Sequence, residues 1–311
     1  MKVGIDIGGT KTDAVALDSA GEVIERLRVP TGFGAEAVLE STVAAVQKLA
    51  DRLGREPREF DSIGVGIPGA VDSLSGHVSH AVNLGLSGLD LGAELGARLG
   101  LLVRVENDVN AAALGAFHLL GSTPLTDSAQ SHSMAYLNLG TGLAAGLVLN
   151  GQVWRGSRGT AGEIGHIPVD PNGPLCPCGQ RGCLEMVASG SAVARQWPTD
   201  HPRPVQALFE AADAGDPRAI EVRARLADNV ASAVRLLVLT VDVDTVVIGG
   251  GLSSLGVPLL AGIRATLDSW AAVSPFIASL ALSRRVEIVP PEFPAAAVGA
   301  ALVGMSAIGV S

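Results

Sequence analysis

One pattern occurs twice in this chain and narrows the folds open to it: an apolar run, a glycine turn, and a second apolar run. Residues 2–7 (KVGIDI) pass through Gly8, Gly9, Thr10, Lys11 and Thr12 into a run at 14–17, and residues 134–139 pass through Gly140, Thr141 and Gly142 into a run at 143–149. Short apolar runs bounded by glycine predict buried strands. After the first copy, the pattern predicts a strand at 23–29, a helix at 35–53 closing at Gly54, a strand at 62–67, a short helix at 91–99, a strand at 102–105 and a helix at 109–120. After the second copy come a hairpin turn at Asn150-Gly151-Gln152, helices near 205–213 and 217–240, a strand at 245–248, a helix at 256–271, a strand at 286–289 and an Ala-rich helix at 295–308. The polar stretch 121–133 between the two halves reads as a linker. Strands alternating with helices predict α/β layers, and 311 residues suffice for two domains.

The core such a chain can build is restricted. Hydrophobic residues make up 48% but aromatics only 3%, so Ala, Val and Leu must fill it, which suits close helix-on-sheet layers. A net charge of -9 with no cluster of Lys or Arg makes nucleic acid and anionic membranes poor partners. No apolar run approaches the ~18 residues of a membrane helix, and the chain opens directly on VGIDIGG, so a cytoplasmic protein is expected.

The glycine turns carry chemistry as well as geometry. Glycine lets backbone N–H groups converge on an anion, and Thr10, Thr12 and Thr141 add hydroxyls beside them. Neither turn is a P-loop, because Gly4-x4-Gly9 is followed by Thr10 and not by lysine. The late run Gly249-Gly250-Gly251 is no dinucleotide fingerprint either, since Ser254 occupies the third glycine position. Each run alone reads first as a tight turn. Two copies in a duplicated frame, with a third run after a late strand, point to a nucleotide held between two domains.

Two carboxylates stand at strand ends. Asp108 sits where a strand gives way to a helix; it suits a helix N-cap, a role Asn107 fills equally well, or a general base. Asp6 ends the first strand. One acid can accept a hydroxyl proton while the other orients Mg²⁺ through water, the division of labour that phosphoryl transfer uses.

All three cysteines, Cys176, Cys178 and Cys183, fall within eight residues, and His166 precedes them among glycines and prolines. Ordinary buried cysteines would scatter along the chain. Three thiolates and one imidazole complete a tetrahedral Zn²⁺ shell with no open position, so the expected metal is structural. Glu163 and Glu185 bracket this knuckle, and a rigid cluster of two carboxylates and an imidazole suits a polyol. Glu163-x-x-His166 is also half of a di-iron motif, but the second copy and the long helices it needs are missing from the sequence.

Taken together, DIGGTK at 6–11, ENDVNAAALG at 106–115, LGTG at 139–142, GTAGEIGH at 159–166, CPCGQRGCLE at 176–185 and VIGGGLS at 247–253 resemble the ROK family (repressors, open reading frames, kinases) over essentially the whole chain. The resemblance implies an actin-like ATPase (ribonuclease H-like) fold: two α/β lobes with a cleft between them, here 1–120 plus 295–311 and 121–294, and a homodimer. It implies an ATP-dependent hexose kinase in which Asp108 is the base for the sugar 6-hydroxyl, while Asn107, Glu163, His166 and Glu185 hold the other hydroxyls. His166, Cys176, Cys178 and Cys183 would bind zinc. Asp6, the turns at Gly8–Thr12 and Gly140–Gly142, and the run Gly249–Gly251 would hold Mg²⁺ and ATP. Two departures stand out: Leu143-Ala144-Ala145-Gly146 replaces a more glycine-rich stretch, and Ala116 replaces a common acid. Glucose is the first acceptor expected, with mannose, fructose and N-acetylhexosamines behind it, and polyphosphate is a second conceivable donor. The family's repressors carry a helix-turn-helix segment ahead of the first strand; that strand begins at residue 2, so a repressor is not expected. A non-catalytic sugar sensor would not need Asp108 and both turns intact.

Overall fold

The computed structural model describes residues 1–122 and 133–304. Along the chain run β1 (Lys2–Ile7), β2 (Lys11–Leu17), β3 (Val23–Pro30), α1 (Ala35–Arg52), β4 (Ser62–Ile67), β5 (Ala70–Asp72), β6 (His77–Ala81), β7 (Leu86–Leu89), α2 (Leu91–Leu99), β8 (Val103–Asn107) and α3 (Asp108–Ser122). There follow β9 (Ser133–Leu139), β10 (Leu143–Leu149), β11 (Gln152–Val153), α4 (Glu185–Ala188), α5 (Gly190–Gln196), α6 (Pro204–Asp213) and α7 (Pro217–Val241). The last elements are β12 (Thr245–Gly249), α8 (Val257–Val273), α9 (Pro275–Ser279), β13 (Val286–Ile288) and α10 (Ala295–Val303). Among the described residues two compact units form: 1–122 with 151–159 and 294–304, and 133–150 with 160–293.

The duplication in the sequence is a duplication of topology. The first unit's main sheet has the order β3-β2-β1-β4-β8, and the second unit repeats its inner part as β10-β9-β12-β13. Each begins with an antiparallel hairpin closed by the glycine turn, and continues through parallel strands. The apolar runs became strands because both sheet faces are covered, and a doubly covered strand is apolar throughout.

In the first unit, α1 buries the stripe Val38, Leu39, Thr42, Ala45, Val46 and Leu49, at helical spacing. α10 is held against β1, β4 and α3 by glycines on both sides. A Cβ on Gly4 would stand 1.9 Å from the Ala297 carbonyl oxygen, one on Gly64 1.9 Å from that of Ala300, and one on Gly115 2.0 Å from that of Ala295. Gly4 is therefore a packing residue. In the second unit α7 presents Val222, Leu226, Val230, Val234 and Leu237 to the core; Asp216 caps it by accepting from the Ala219 N–H at 2.9 Å, with Pro217 at its first position.

Residues 70–89, which carry no strand signal beyond the turn at Pro68-Gly69, form a separate three-stranded sheet, β5-β6-β7. These strands are three to five residues long and only Val78, Ala81 and Leu86 in them are buried, so no alternation develops. The polar stretch at 121–133 lies almost wholly outside the described residues, as does the chain after 304. The nine residues at 151–159 group with the first unit although they interrupt the second in sequence. Among the described residues no helix is long and apolar enough to cross a membrane.

Candidate active site

Parallel pairing brings the first unit's acids to one end of its sheet. Asp6 on β1 is in register with Gly66 on β4, and Gly66 with Glu106 on β8, so Asp6 and the segment Glu106-Asn107-Asp108 share the carboxyl ends of three adjacent strands. Ligands of open α/β sheets bind at such ends. The hydrogen bonds at the start of α3 separate its two polar residues. Asn107 Oδ1 accepts from the N–H of Val109 at 2.9 Å and of Asn110 at 3.2 Å, which makes Asn107 the cap; Asp108 Oδ1 also accepts the Val109 N–H, at 3.0 Å. Asn107 also donates from Nδ2 to the Gly69 carbonyl at 3.2 Å. Asp108 is partly exposed. Burial, and then the neighbouring Asp108 and Asp13 carboxylates, push the Asp6 carboxyl up to about 7, with Arg28 opposing.

The turn after Asp6 closes with a hydrogen bond from the Gly8 N–H to the Lys11 carbonyl at 2.9 Å, leaving Gly9, Thr10 and Lys11 exposed. Thr12 differs from its neighbours: it is fully buried, and its hydroxyl and that of Thr31 share a hydrogen bond of 2.8 Å.

In the second unit the matching turn closes from the Gly140 N–H to the Gly142 carbonyl at 3.0 Å. The start of α5 docks on it, with Gly190 N–H donating to the Gly140 carbonyl at 2.9 Å and Ser191 N–H to that of Thr141 at 3.2 Å. Beside these residues opens a cavity of about 560 Å³, whose further walls are the 202–206 segment at the start of α6 and Gly251 to Leu255. Of the three late glycines, Gly251 borders the cavity; a Cβ on Gly249 would stand 2.1 Å from the Tyr136 hydroxyl, and one on Gly250 2.5 Å from Asn138 Oδ1. The residues at 190–191 and 202–206 carry no motif, and only the fold brings them to the cavity.

The GEIGH segment is pressed onto β10 by its glycines. A Cβ on Gly162 would meet the Ala145 carbonyl oxygen at 1.8 Å, and one on Gly165 that of Leu143 at 2.0 Å. Glu163 is exposed and His166 half-buried. Glu185, at the start of α4, accepts the Leu143 N–H on Oε2 at 2.9 Å, so it stands directly behind the Gly140–Gly142 turn.

His166, Cys176, Cys178 and Cys183 bring one ligand atom each to within 4.8 Å of one another. The Cys176 Sγ to His166 Nδ1 separation is 3.7 Å and Cys178 Sγ to Cys183 Sγ is 3.6 Å. A tetrahedron with Zn–S bonds of ~2.3 Å has S···S edges of ~3.8 Å, so the set fits Zn²⁺. Burial pushes the Cys183 thiol up while the Gln180 N–H draws the Cys178 thiol down.

The ROK family profile matches residues 2–304. The chain belongs to the ROK family. A glucokinase of Halalkalibacterium halodurans is 34% identical over 288 residues, 86% of each chain. An N-acetylmannosamine kinase of Haemophilus influenzae is 34% identical over 263 residues, 82% of this chain and 83% of that one. A ROK family glucokinase of Streptomyces griseus, solved in complex with glucose and AMPPNP, superposes with a TM-score of 0.76 at 30% identity over 97% of this chain and 98% of that one. The ROK fold is the actin-like ATPase type, and the paired sheets described above are its two α/β halves.

Proposed function

We propose that this ROK protein is an ATP-dependent hexose kinase, with glucose its first acceptor and Asp108 the base that takes the proton from the sugar 6-hydroxyl. The observation that carries the base is at the start of α3: Asn107 supplies the cap, so the carboxylate at 108 is not explained by capping. As the hydroxyl oxygen attacks the γ-phosphorus, its proton passes to Asp108, and the bond from that phosphorus to the bridging oxygen breaks to leave ADP. The exposed turn at Gly8–Lys11 and the turn at Gly140–Gly142 would hold phosphates through backbone N–H groups. The cavity beside Gly140, Gly190 and Gly251 would take the nucleoside. Asn107, Glu163, His166 and Glu185 would orient the other sugar hydroxyls. Glu185 is well placed for this, because its bond to the Leu143 N–H fixes one carboxylate oxygen and leaves its orientation set.

Two metals belong to this reading. Asp6 would orient Mg²⁺ through water, and that ion would supply charge neutralisation at the phosphates. His166, Cys176, Cys178 and Cys183 would hold a structural Zn²⁺, whose ordering of the 166–185 loop would fix Glu185 and the imidazole of His166. Glucose is put first on the glucokinase relative and on the glucokinase solved with glucose and AMPPNP. The N-acetylmannosamine kinase at the same identity makes N-acetylated hexoses a necessary arm of the test. The further expectation of a homodimer is part of the proposal and is checked by light scattering. ADP release by the purified protein is measured against a panel of hexoses with ATP and with polyphosphate. Fast, sugar-dependent release with glucose is expected; release that no hexose accelerates would overturn the kinase reading in favour of a sugar sensor.

A further inference from the structure

Glu106, immediately before the cap and the proposed base, has a side chain only 2% exposed, and its two oxygens have different partners. Oε1 accepts the Asn107 N–H at 3.0 Å and the Asn110 amide Nδ2 at 3.1 Å. Oε2 accepts from Arg155, at 2.7 Å from Nε and 2.5 Å from Nη2. One oxygen is thus committed to the first turn of α3 and the other to a guanidinium contributed by the 151–159 segment of the same unit.

We propose that Arg155 is a positioning residue for Asp108, acting through Glu106; the proposal rests on the reading of Asp108 as the base. Asp108 is bracketed by the two groups that Glu106 holds, the 106–107 peptide N–H and the side chain of Asn110, and Asn107 between them sets the cap. Rotation of the Glu106 carboxylate would move both anchors together. The guanidinium opposes rotation because Nε and Nη2 lie in one rigid plane and converge on Oε2, so turning the carboxylate would break two charge-assisted hydrogen bonds at once, whereas a single ammonium lacks that fixed pair of donors. Charge neutralisation alone would be served by either cation. A misplacement of the base by ~1 Å costs on the order of 10²-fold in rate, so a rigid support behind it has a catalytic consequence.

The bland role, neutralising a buried carboxylate, predicts different kinetics, and two variants separate the roles. Arg155→Lys keeps the charge and loses the fork. Its kcat is expected to fall about tenfold or more, with the KM values for sugar and ATP within about twofold of wild type. Arg155→Lys with wild-type kcat would overturn the proposal. The double variant Arg155→Met with Glu106→Gln removes the buried charge and its partner together, so thermal stability should recover relative to Arg155→Met alone. If the pair positions the base, kcat stays low in that stable double variant; if kcat returns along with stability, the pair is only structural and the proposal fails. Asp108→Asn is measured beside them: should it retain turnover, the base reading itself falls, whereas an inactive Asp108→Asn with a fully active Arg155→Lys overturns only the role of Arg155.

Discussion

Replacing Gly299 by alanine sets two physical effects against each other with opposite signs. In the middle of α10 the substitution improves helix propensity and by itself would stabilise the protein by ~1 kcal/mol. The new Cβ, however, would stand 1.6 Å from the Ala111 carbonyl oxygen, 2.6 Å from its carbon and 2.7 Å from the Gly115 nitrogen. All three are backbone atoms of α3, so no side chain can swing aside. Restoring ordinary contact at ~3.4 Å requires the two helices to separate by roughly 1.5–2 Å, which also opens the matching approach at Gly115, and α10 cannot yield by moving away from α3 because Gly4 and Gly64 already hold another of its faces against β1 and β4. Overpacking of this kind costs ~1–3 kcal/mol and occasionally more; with the helix confined on two faces we expect a net loss of about 3 kcal/mol, against a total stability of ~5–15 kcal/mol. Gly262→Ala in α8 is the control, because its Cβ would meet only the Ala227 Cβ, at 3.5 Å, and propensity alone should act, giving a gain of about 1 kcal/mol. Denaturant unfolding followed by far-UV circular dichroism reads both. Gly299→Ala as stable as wild type would refute the reasoning, as would two variants that shift in the same direction.

Further expectations concern the metal and the buried acid. Protein prepared without chelators should carry about one zinc per chain by elemental analysis, and Cys178→Ala should lose it and weaken sugar binding more than ATP binding; zinc-free protein with full sugar affinity would contradict this. The Asp6 carboxyl, raised from 3.8 to about 7, favours the fold in its neutral form, so its contribution is complete below its unfolded value and disappears as pH rises through 7. In the absence of Mg²⁺ and nucleotide, Asp6→Asn should therefore gain thermal stability relative to wild type between about pH 5 and pH 8; parallel melting curves across that range would show that Asp6 is not perturbed.

How much of this was legible before the fold depends on how far apart the cooperating residues lie. The strand-glycine-strand repeat could be read because each unit is local, and the cysteines and His166 could be read because their chemistry demands a common partner. Gly4 could not: its neighbour is the carbonyl of Ala297, at the other end of the chain. The same distance hides the bond between Glu185 and the Leu143 N–H, and the wall that 202–206 contributes to the cavity beside Gly140. Thr12 follows Thr10 and Lys11 in sequence, yet strand alternation turns it inward to Thr31. Gly249 and Gly250 look like ligand glycines and are also required by the ring of Tyr136 and the side chain of Asn138. Whether Asn107 or Asp108 caps α3 is undecidable from residue types, since both cap well, and only the placement of Asn107 Oδ1 against two successive N–H groups separates them. Glu106 lies inside the family motif, but its partner Arg155 is 49 residues away.

That separation makes the turnover of Asp108→Asn decisive for the proposed chemistry. Asparagine keeps the size of the side chain and its ability to accept the Val109 N–H, and Asn107 still caps the helix, so folding and zinc content should be unchanged. The hydroxyl proton would have no acceptor, and kcat on the best hexose should drop by ~10²–10⁴-fold while the sugar affinity changes far less. A folded Asp108→Asn variant turning over near the wild-type rate would contradict the mechanism, and Asp6 would become the first candidate for the base.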